Sequence, residues 1–191
     1  MDPAGLDRLL RRACQHDPDA LHKLVDTYSA RVFGLLYRLT GSHETAEDLL
    51  QETFLRVVRK IGEYRHGGRF EAWLFRIAAN LARDHARRAR RRRPPGRLEG
   101  APRDGEPRPA EVPDASQPDP GQELLGKEAG ERLNEHLQKM AEIDREIILL
   151  RHFSGLSFQE IADMLEIPLG TALARAHRAL RRLRGMFGEE V

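Results

Sequence analysis

An all-α fold of two small helical domains on a flexible tether is what three features of this sequence predict. Apolar residues recur every three or four positions, no stretch alternates convincingly with a period of two, and eight of the eleven prolines crowd into the single segment 94–122. The chain has 191 residues, 40% hydrophobic and 32% charged, enough apolar matter for compact but small cores. Within 94–122 Leu98 and Val112 are almost the sole sizeable apolar side chains, too few to offset the conformational entropy of ordering it. The segment therefore reads as an extended or disordered linker between a domain at 1–93 and a domain at 123–188. Eight of the eleven aromatic residues fall in the first block, so the two blocks are expected to have different cores.

The first block reads as a helical bundle. Asp17-Pro18 opens a helix, because Asp can accept from free amides and Pro is tolerated in a first turn. Leu21, Leu24, Val25, Tyr28, Val32, Leu35, Leu36 and Leu39 then form its apolar stripe. Gly41 ends that helix and Ser42 caps the next, whose stripe is Ala46, Leu49, Leu50, Thr53, Phe54, Val57 and Ile61, with Gly62 read as a left-handed stop. After the loop Gly62–Phe70 a third helix runs from about Glu71 to Arg93. Cys14, among Leu6, Leu9, Leu10 and Ala13, reads as a small core residue.

The second block opens with amphipathic helices at Glu123–Met140 and Asp144–Phe153. Gly155 is a stop, Ser157 with Glu160 forms a capping box, a short helix covers Phe158–Leu165, and Pro168 restarts a helix of about twenty residues. Two helices, a tight turn and a basic second helix make a helix-turn-helix, an arrangement suited to reading DNA.

Charge is uneven although the net formal charge is only +2. From Arg69 to Arg97 there are ten arginines against Glu71 and Asp84, and the last helix carries Arg175, Arg178, Arg181, Arg182 and Arg184 with no acid before Glu189. The stretch Leu98–Glu123 is acidic instead, with seven acids against two arginines. Arginines at a helix C-terminus can merely complement its dipole, but two separate basic helices joined by an acidic tether point to a polyanion.

The runs LTGSHETAEDLLQETFLRVVRKI (Leu39–Ile61) and FEAWLFRIAANLARDHARR (Phe70–Arg88) closely resemble region two of the extracytoplasmic-function (ECF) group of sigma-70-family RNA polymerase sigma factors. The run Ile143–Arg184 resembles their region four. The resemblance implies a transcription initiation factor that directs core RNA polymerase to promoters and helps melt the DNA. It also implies three partners: core polymerase (through the β′ clamp helices and the β flap), promoter DNA and an anti-sigma factor.

Asp48, Gln51, Glu52 and Arg56 step by three and four along one face, opposite Leu49, Phe54 and Val57. Spacing alone makes this an ordinary solvated face; the resemblance makes it the surface that docks on the clamp helices, with Leu50 or Leu55 at its edge as an apolar anchor. By the same resemblance Tyr64, Arg69, Trp73, Arg76, Asn80, Arg83, Arg87 and Arg88 form the minus-ten surface. There aromatic faces and a polar pocket would hold unstacked bases and arginines would hold phosphates. Core packing is the alternative reading for Trp73, and Phe75 and Ile77 read as core.

On the last helix Leu169, Ala172, Leu173, Ala176, Leu180, Leu183 and Phe187 are expected to pack inward, leaving Thr171, Arg175, Arg178 and Arg182 to enter the major groove of the minus-thirty-five element. The family usually reads GTVKSR where this chain has Gly170–Arg175, so Leu173 and Ala174 replace two polar groups and minus-thirty-five recognition is expected to be altered or weak. An exposed Leu173 could instead serve a protein partner. Glu166 stands where the turn often carries Gly.

Enzyme readings lack support. There is no HExxH, P-loop or Gly-rich dinucleotide turn, and the lone Cys14 excludes an internal disulfide framework and any Cys-based zinc site, so neither cofactor nor metal is expected. Glu63 and His66 have the spacing of a di-iron ligand pair but no second copy, and His85, His152 and His177 are isolated. With no apolar run near the roughly 18–20 residues of a membrane span and no export signal, a cytoplasmic bacterial location is expected. The competing reading is a stand-alone helix-turn-helix regulator, which would not require the Asp48/Gln51/Glu52 face or the Trp73/Asn80 pair.

Overall fold

A computed structural model describes residues 3–65, 69–92 and 130–188 of the chain. The linker expected at 94–122 lies outside the described residues, as do 66–68 of the loop before the expected third helix and 123–129 of the helix expected at Glu123–Met140. The described residues are helical, without strands: α1 Pro3–Cys14, α2 Pro18–Thr40, α3 His43–Lys60, α4 Phe70–Arg92, α5 at 130–138, α6 Glu142–Ser154, α7 Phe158–Leu165 and α8 Leu169–Gly188.

Most boundaries follow from local chemistry. The Asp17 carboxylate accepts from the amides of Asp19 and Ala20 at 3.0 and 3.2 Å, with Pro18 in the first turn of α2. Gly41 ends α2 in the left-handed region (φ 72°), its amide bonded to the Tyr37 carbonyl at 2.8 Å. A Cβ there would also lie 3.0 Å from the Gln138 side chain. The Ser42 hydroxyl accepts from the Thr45 amide to start α3. Gly155 (φ 63°) ends α6, and Ser157 with Glu160 forms a reciprocal capping box on α7. Glu166 ends α7 at φ 56°, a left-handed conformation forced on a residue with a side chain.

Two boundaries differ from the sequence reading. Gly62 is not a left-handed stop: α3 passes through a right-handed Ile61 into a short 3-10 turn, Ile61–Glu63. A Cβ at Gly62 would fall 3.2 Å from His16 Nε2, so close approach of the α1–α2 corner is the constraint at this glycine. A further helix, α1, precedes Asp17 and buries Leu9, Leu10 and Ala13. Cys14 packs half-buried beside them, and burial pushes its thiol pKa up.

The two blocks do not keep separate cores. The principal cluster joins Leu24, Leu35, Leu36, Phe54, Val57, Leu74 and Phe75 of the first block to Leu137, Met140, Leu149, Ala179 and Leu183 of the second. A smaller cluster places Ala79 of α4 among Ile147, Leu150, Leu156, Ile161 and Ala176. Aromatic abundance in block one suggested a self-sufficient core, but α2 and α4 each leave an apolar flank that α6 covers. Phe153, at the end of α6, lies against Phe75 (ring centroids 6.4 Å) beneath the Arg38 guanidinium, and the glycine at position 34 admits it. The Thr53 hydroxyl donates to Leu49 O at 2.6 Å, and buried Arg145 donates to Gln138, whose amide nitrogen donates to Arg38 O across the blocks at 2.9 Å, although Arg145 Nε is buried without a partner.

Candidate nucleic-acid and polymerase interfaces

On α3 the stripe Ala46, Leu49, Thr53, Phe54 and Val57 turns inward and fixes what faces solvent. Asp48 and Gln51 are exposed, and Glu52 is half-buried and accepts from Arg56 Nε at 2.9 Å, an i,i+4 pair. The predicted face is therefore one continuous surface. Leu55 stands beside it 52% exposed, whereas Leu50 packs against the core, so Leu55 is the apolar side chain available to a partner.

At the other side of the same bundle Tyr64, Phe70 and Trp73 form an aromatic group. Ring centroids are 5.1 Å apart for Tyr64–Trp73, 5.7 Å for Phe70–Trp73 and 5.7 Å for Tyr64–Phe70. Phe70 is buried and meets Tyr28 at 5.5 Å, which anchors the group to the core; Tyr64 and Trp73 are half-buried and keep part of their surfaces in solvent. Burial, reinforced by Glu71, pushes the Tyr28 phenol up to about 12. Leu74, Phe75, Ala78, Ala79, Leu81 and Ala82 seat α4, and this leaves Arg76 and Asn80 exposed one turn apart, followed by exposed Arg87 and Arg88.

Arg69 and Arg83 are differently placed. Arg69 pairs with Glu160 of α7. Arg83 donates to Glu146 of α6 at 2.7 Å and to the Met164 carbonyl at 3.2 Å, with a longer contact to Asn80 Oδ1 at 3.4 Å. Burial opposes ionisation of Glu160, but hydrogen bonds from the Ser157 hydroxyl and amide and the Arg69 guanidinium outweigh it and hold the carboxyl down at about 2.

The orientation of α8 corrects the sequence reading. Its buried stripe is Ala172, Ala176, Ala179 and Leu183, while Leu169, Leu173 and Leu180 are 38%, 44% and 44% exposed. Small residues let α8 lie close to α6 and α7, which rotates the expected leucines outward. Thr171 is half-buried, Arg175 bonds Asp144 of α6 at 2.8 Å, and Arg178 and Arg182 are exposed. The histidines His85, His152 and His177 are exposed and apart, and among the described residues no group of three or more His, Cys, Asp or Glu could hold a metal. Among the same residues no helix is long and apolar enough to cross a membrane.

Sequence reasoning missed Arg31, Glu142, Glu146 and Phe153, which join the blocks. Arg31 grips Glu71 with both terminal nitrogens (2.8 and 3.0 Å) and also donates to Phe153 O at 3.0 Å. Hydrogen bonding to Glu71 raises its pKa. The available signal was Glu146 itself, a charge directly before the apolar run Ile147–Leu150.

A helical bundle carries a charged α3 face and an aromatic-basic face and is followed by a helix-turn-helix. Residues 24–92 match the family Sigma-70 region 2, and residues 130–183 match Sigma-70, region 4. The chain is 38% identical to the RNA polymerase sigma factor CarQ of Myxococcus xanthus (90% of this chain, 91% of that protein). It is 32% identical to the RNA polymerase sigma-H factor of Pseudomonas aeruginosa (90% and 88%) and 30% to the ECF RNA polymerase sigma factor SigW of Bacillus subtilis (94% and 95%). The fold is similar to that of sigma factor RpoE of Bartonella quintana bound to the anti-sigma factor NepR, with a TM-score of 0.64 at 22% identity over 87% of this chain and 96% of that one. It is also similar to CnrH bound to the cytosolic domain of CnrY, with a TM-score of 0.59 at 22% identity over 96% and 97%. This chain belongs to the ECF group of RNA polymerase sigma factors. It is a transcription initiation factor, which separates it from stand-alone helix-turn-helix regulators.

Proposed function

We propose that this sigma factor acts in the bacterial cytoplasm, with labour divided among residues 1–93, a tether at 94–122 and residues 123–188. Asp48, Gln51, Glu52 and Arg56, with exposed Leu55, form the docking face for the β′ clamp helices; charged rim groups set register and on-rate, and the leucine supplies desolvated contact. Region four contacts the β flap. The minus-ten strand runs over Tyr64, Trp73 and Asn80, with Arg69, Arg76, Arg83, Arg87 and Arg88 on its phosphates. Thr171, Arg175, Arg178 and Arg182 face the minus-thirty-five duplex, where the exposed apolar Leu173 makes recognition weak or altered.

The observation that carries this reading is the outward Arg76–Asn80 pair beside the half-exposed Tyr64–Trp73 rings, on the same bundle as the α3 face. An anti-sigma factor is the further partner. A groove of about 760 Å³ bordered by Leu133, Leu137, Ile148, Phe153, Leu180 and Leu183 suits an apolar helix from it.

The test is reconstitution with bacterial core polymerase and selection of bound promoters. Trp73→Ala and Asn80→Ala are expected to co-purify with core yet lose permanganate-reactive thymines at the selected start sites. Retained strand opening in both would overturn the minus-ten assignment. Failure of the parent chain to bind core would overturn the docking face. Strong, sequence-specific upstream protection by region four would overturn weakened minus-thirty-five recognition.

A further inference from the structure

The outer surface of α8 is apolar where a duplex-reading helix is ordinarily polar. At about 100° per residue, the side opposite the buried alanine stripe holds Gly170, Ala174, His177 and Arg181, with Leu173 and Arg178 at its edges. All six are exposed. Two of the polar residues expected in the groove sit off this side. Thr171 is half-buried, and Arg175 has one terminal nitrogen on Asp144 at 2.8 Å while its Nε is buried, so neither fork of its guanidinium is complete for a guanine.

In a helix-turn-helix the first turns of the second helix meet the base edges. Here those turns expose Leu173 and Ala174 beside Gly170, and a Cβ at Gly170 would meet nothing within 4 Å, so the approach is open. Leu180 borders the groove beside Phe153 and Leu183, which leaves Leu173 and Ala174 as a separate apolar spot. Arg178, Arg181 and Arg182 are exposed one and two turns further on, so cations flank an apolar centre. A major groove has the complementary layout: phosphates along its rims and, on its floor, the thymine C5-methyl as the apolar group. An apolar protein partner would match the centre and not the rim.

We infer that Leu173 and Ala174 read thymine methyl groups in the upstream duplex, so that this sigma factor prefers thymine where the two side chains reach. The inference rests on the reading of α8 as the helix that faces the minus-thirty-five duplex. It goes further in naming the base preference that replaces the missing polar contacts. Apolar contact is non-directional and small. Burying one methyl changes affinity about fourfold, which makes the recognition shallow rather than absent.

The test uses holoenzyme reconstituted from the full chain and bacterial core polymerase, with promoter fragments recovered from a library whose upstream segment is randomised. Upstream thymines of a recovered fragment are then replaced by uracil, which pairs identically and lacks the C5-methyl. The recovered fragments are expected to be enriched in upstream thymine. Uracil there is expected to weaken binding about fourfold per contacted methyl in gel-shift titration, and uracil in the spacer to change nothing. Leu173→Lys, Ala174→Ser installs the polar pair usual in the family at two exposed positions. It is expected to keep duplex binding and to bind the thymine and uracil fragments equally.

Equal affinity of the parent holoenzyme for the two fragments would overturn methyl reading while leaving α8 on the duplex. An enriched upstream element without thymine would do the same. So would a thymine preference that the double variant retains, since duplex shape would then be its source. No upstream enrichment and no upstream protection would overturn the placement of α8 on the duplex itself, and methyl reading with it. The thymine–uracil comparison on the parent chain stands even if the double variant fails to fold.

Discussion

Helices α4 and α8 are both long, both basic and both candidates for DNA contact, yet they are built differently. The inner face of α4 is bulky (Phe70, Leu74, Phe75), and its arginines reach across to another unit. The inner face of α8 is mainly alanine, its leucines face outward, and its one anchored arginine, Arg175, is held by Asp144 within its own unit. Positive charge is common to both helices, but the size of the buried side chains sets how closely each helix lies and which residues remain outside. The contrast separates a helix whose arginines are engaged across the blocks from one whose anchored arginine is held within its own block.

Phe75→Ala tests that contrast most severely. This ring is fully buried and touches Phe153 of the other block, so its loss is expected to cost about 3–5 kcal/mol and to loosen both halves together in calorimetry. Ala176→Leu, the matching change on α8, overpacks a 4%-exposed site at a cost of about 1–3 kcal/mol. A single calorimetric transition that splits in Phe75→Ala but not in Ala176→Leu would sharpen the distinction; splitting in neither would break it. Arg178→Ala is expected to weaken duplex binding by up to about 1–3 kcal/mol if the exposed guanidinium reads a guanine, with no effect on strand opening once polymerase is bound. Gel-shift titration against promoter duplex measures the first part and permanganate reactivity the second.

A smaller gain is expected from Glu166→Gly. The residue sits at φ 56°, so removing its Cβ should stabilise the turn before α8 by about 1 kcal/mol, read as a higher urea midpoint. A further effect, confined to acid pH, is expected at the α4–α7 seam. The Glu160 carboxyl is held at about 2 against an ordinary 4.5, so folding stabilises its charged form. That contribution is complete above about 4.5 and disappears as pH falls toward 2. Glu160→Gln should flatten the stability curve in that window and leave the curve near neutrality with the same slope; an unchanged acid limb would break the assignment.

Residues whose effect is local were legible in the sequence. Asp17-Pro18, Gly41-Ser42 and Ser157/Glu160 act through backbone groups two to four positions away, and the structure has each cap as read. The exposed face of α3 followed from a stripe with large, unambiguous apolar residues. Where the outcome depended on distant neighbours the reading failed. Gly62 answers to His16 across a corner, and the leucines of α8 lost their inward place to alanines because α6 and α7 demanded close approach. Asp2-Pro3 repeats the opening signal of Asp17-Pro18, so the start of α1 was legible and the reading passed over it. The Arg83–Glu146 pair spans 63 positions, a separation at which periodicity is silent.

Arg31 ties the placement of the end of α6 to the pairing of α2 with α4. The guanidinium nitrogen that donates to Glu71 Oε2 also donates to the Phe153 carbonyl, so this inter-block hook is positioned by the pairing of α2 with α4. A copy damaged in the front bundle would forfeit the hook along with the pairing.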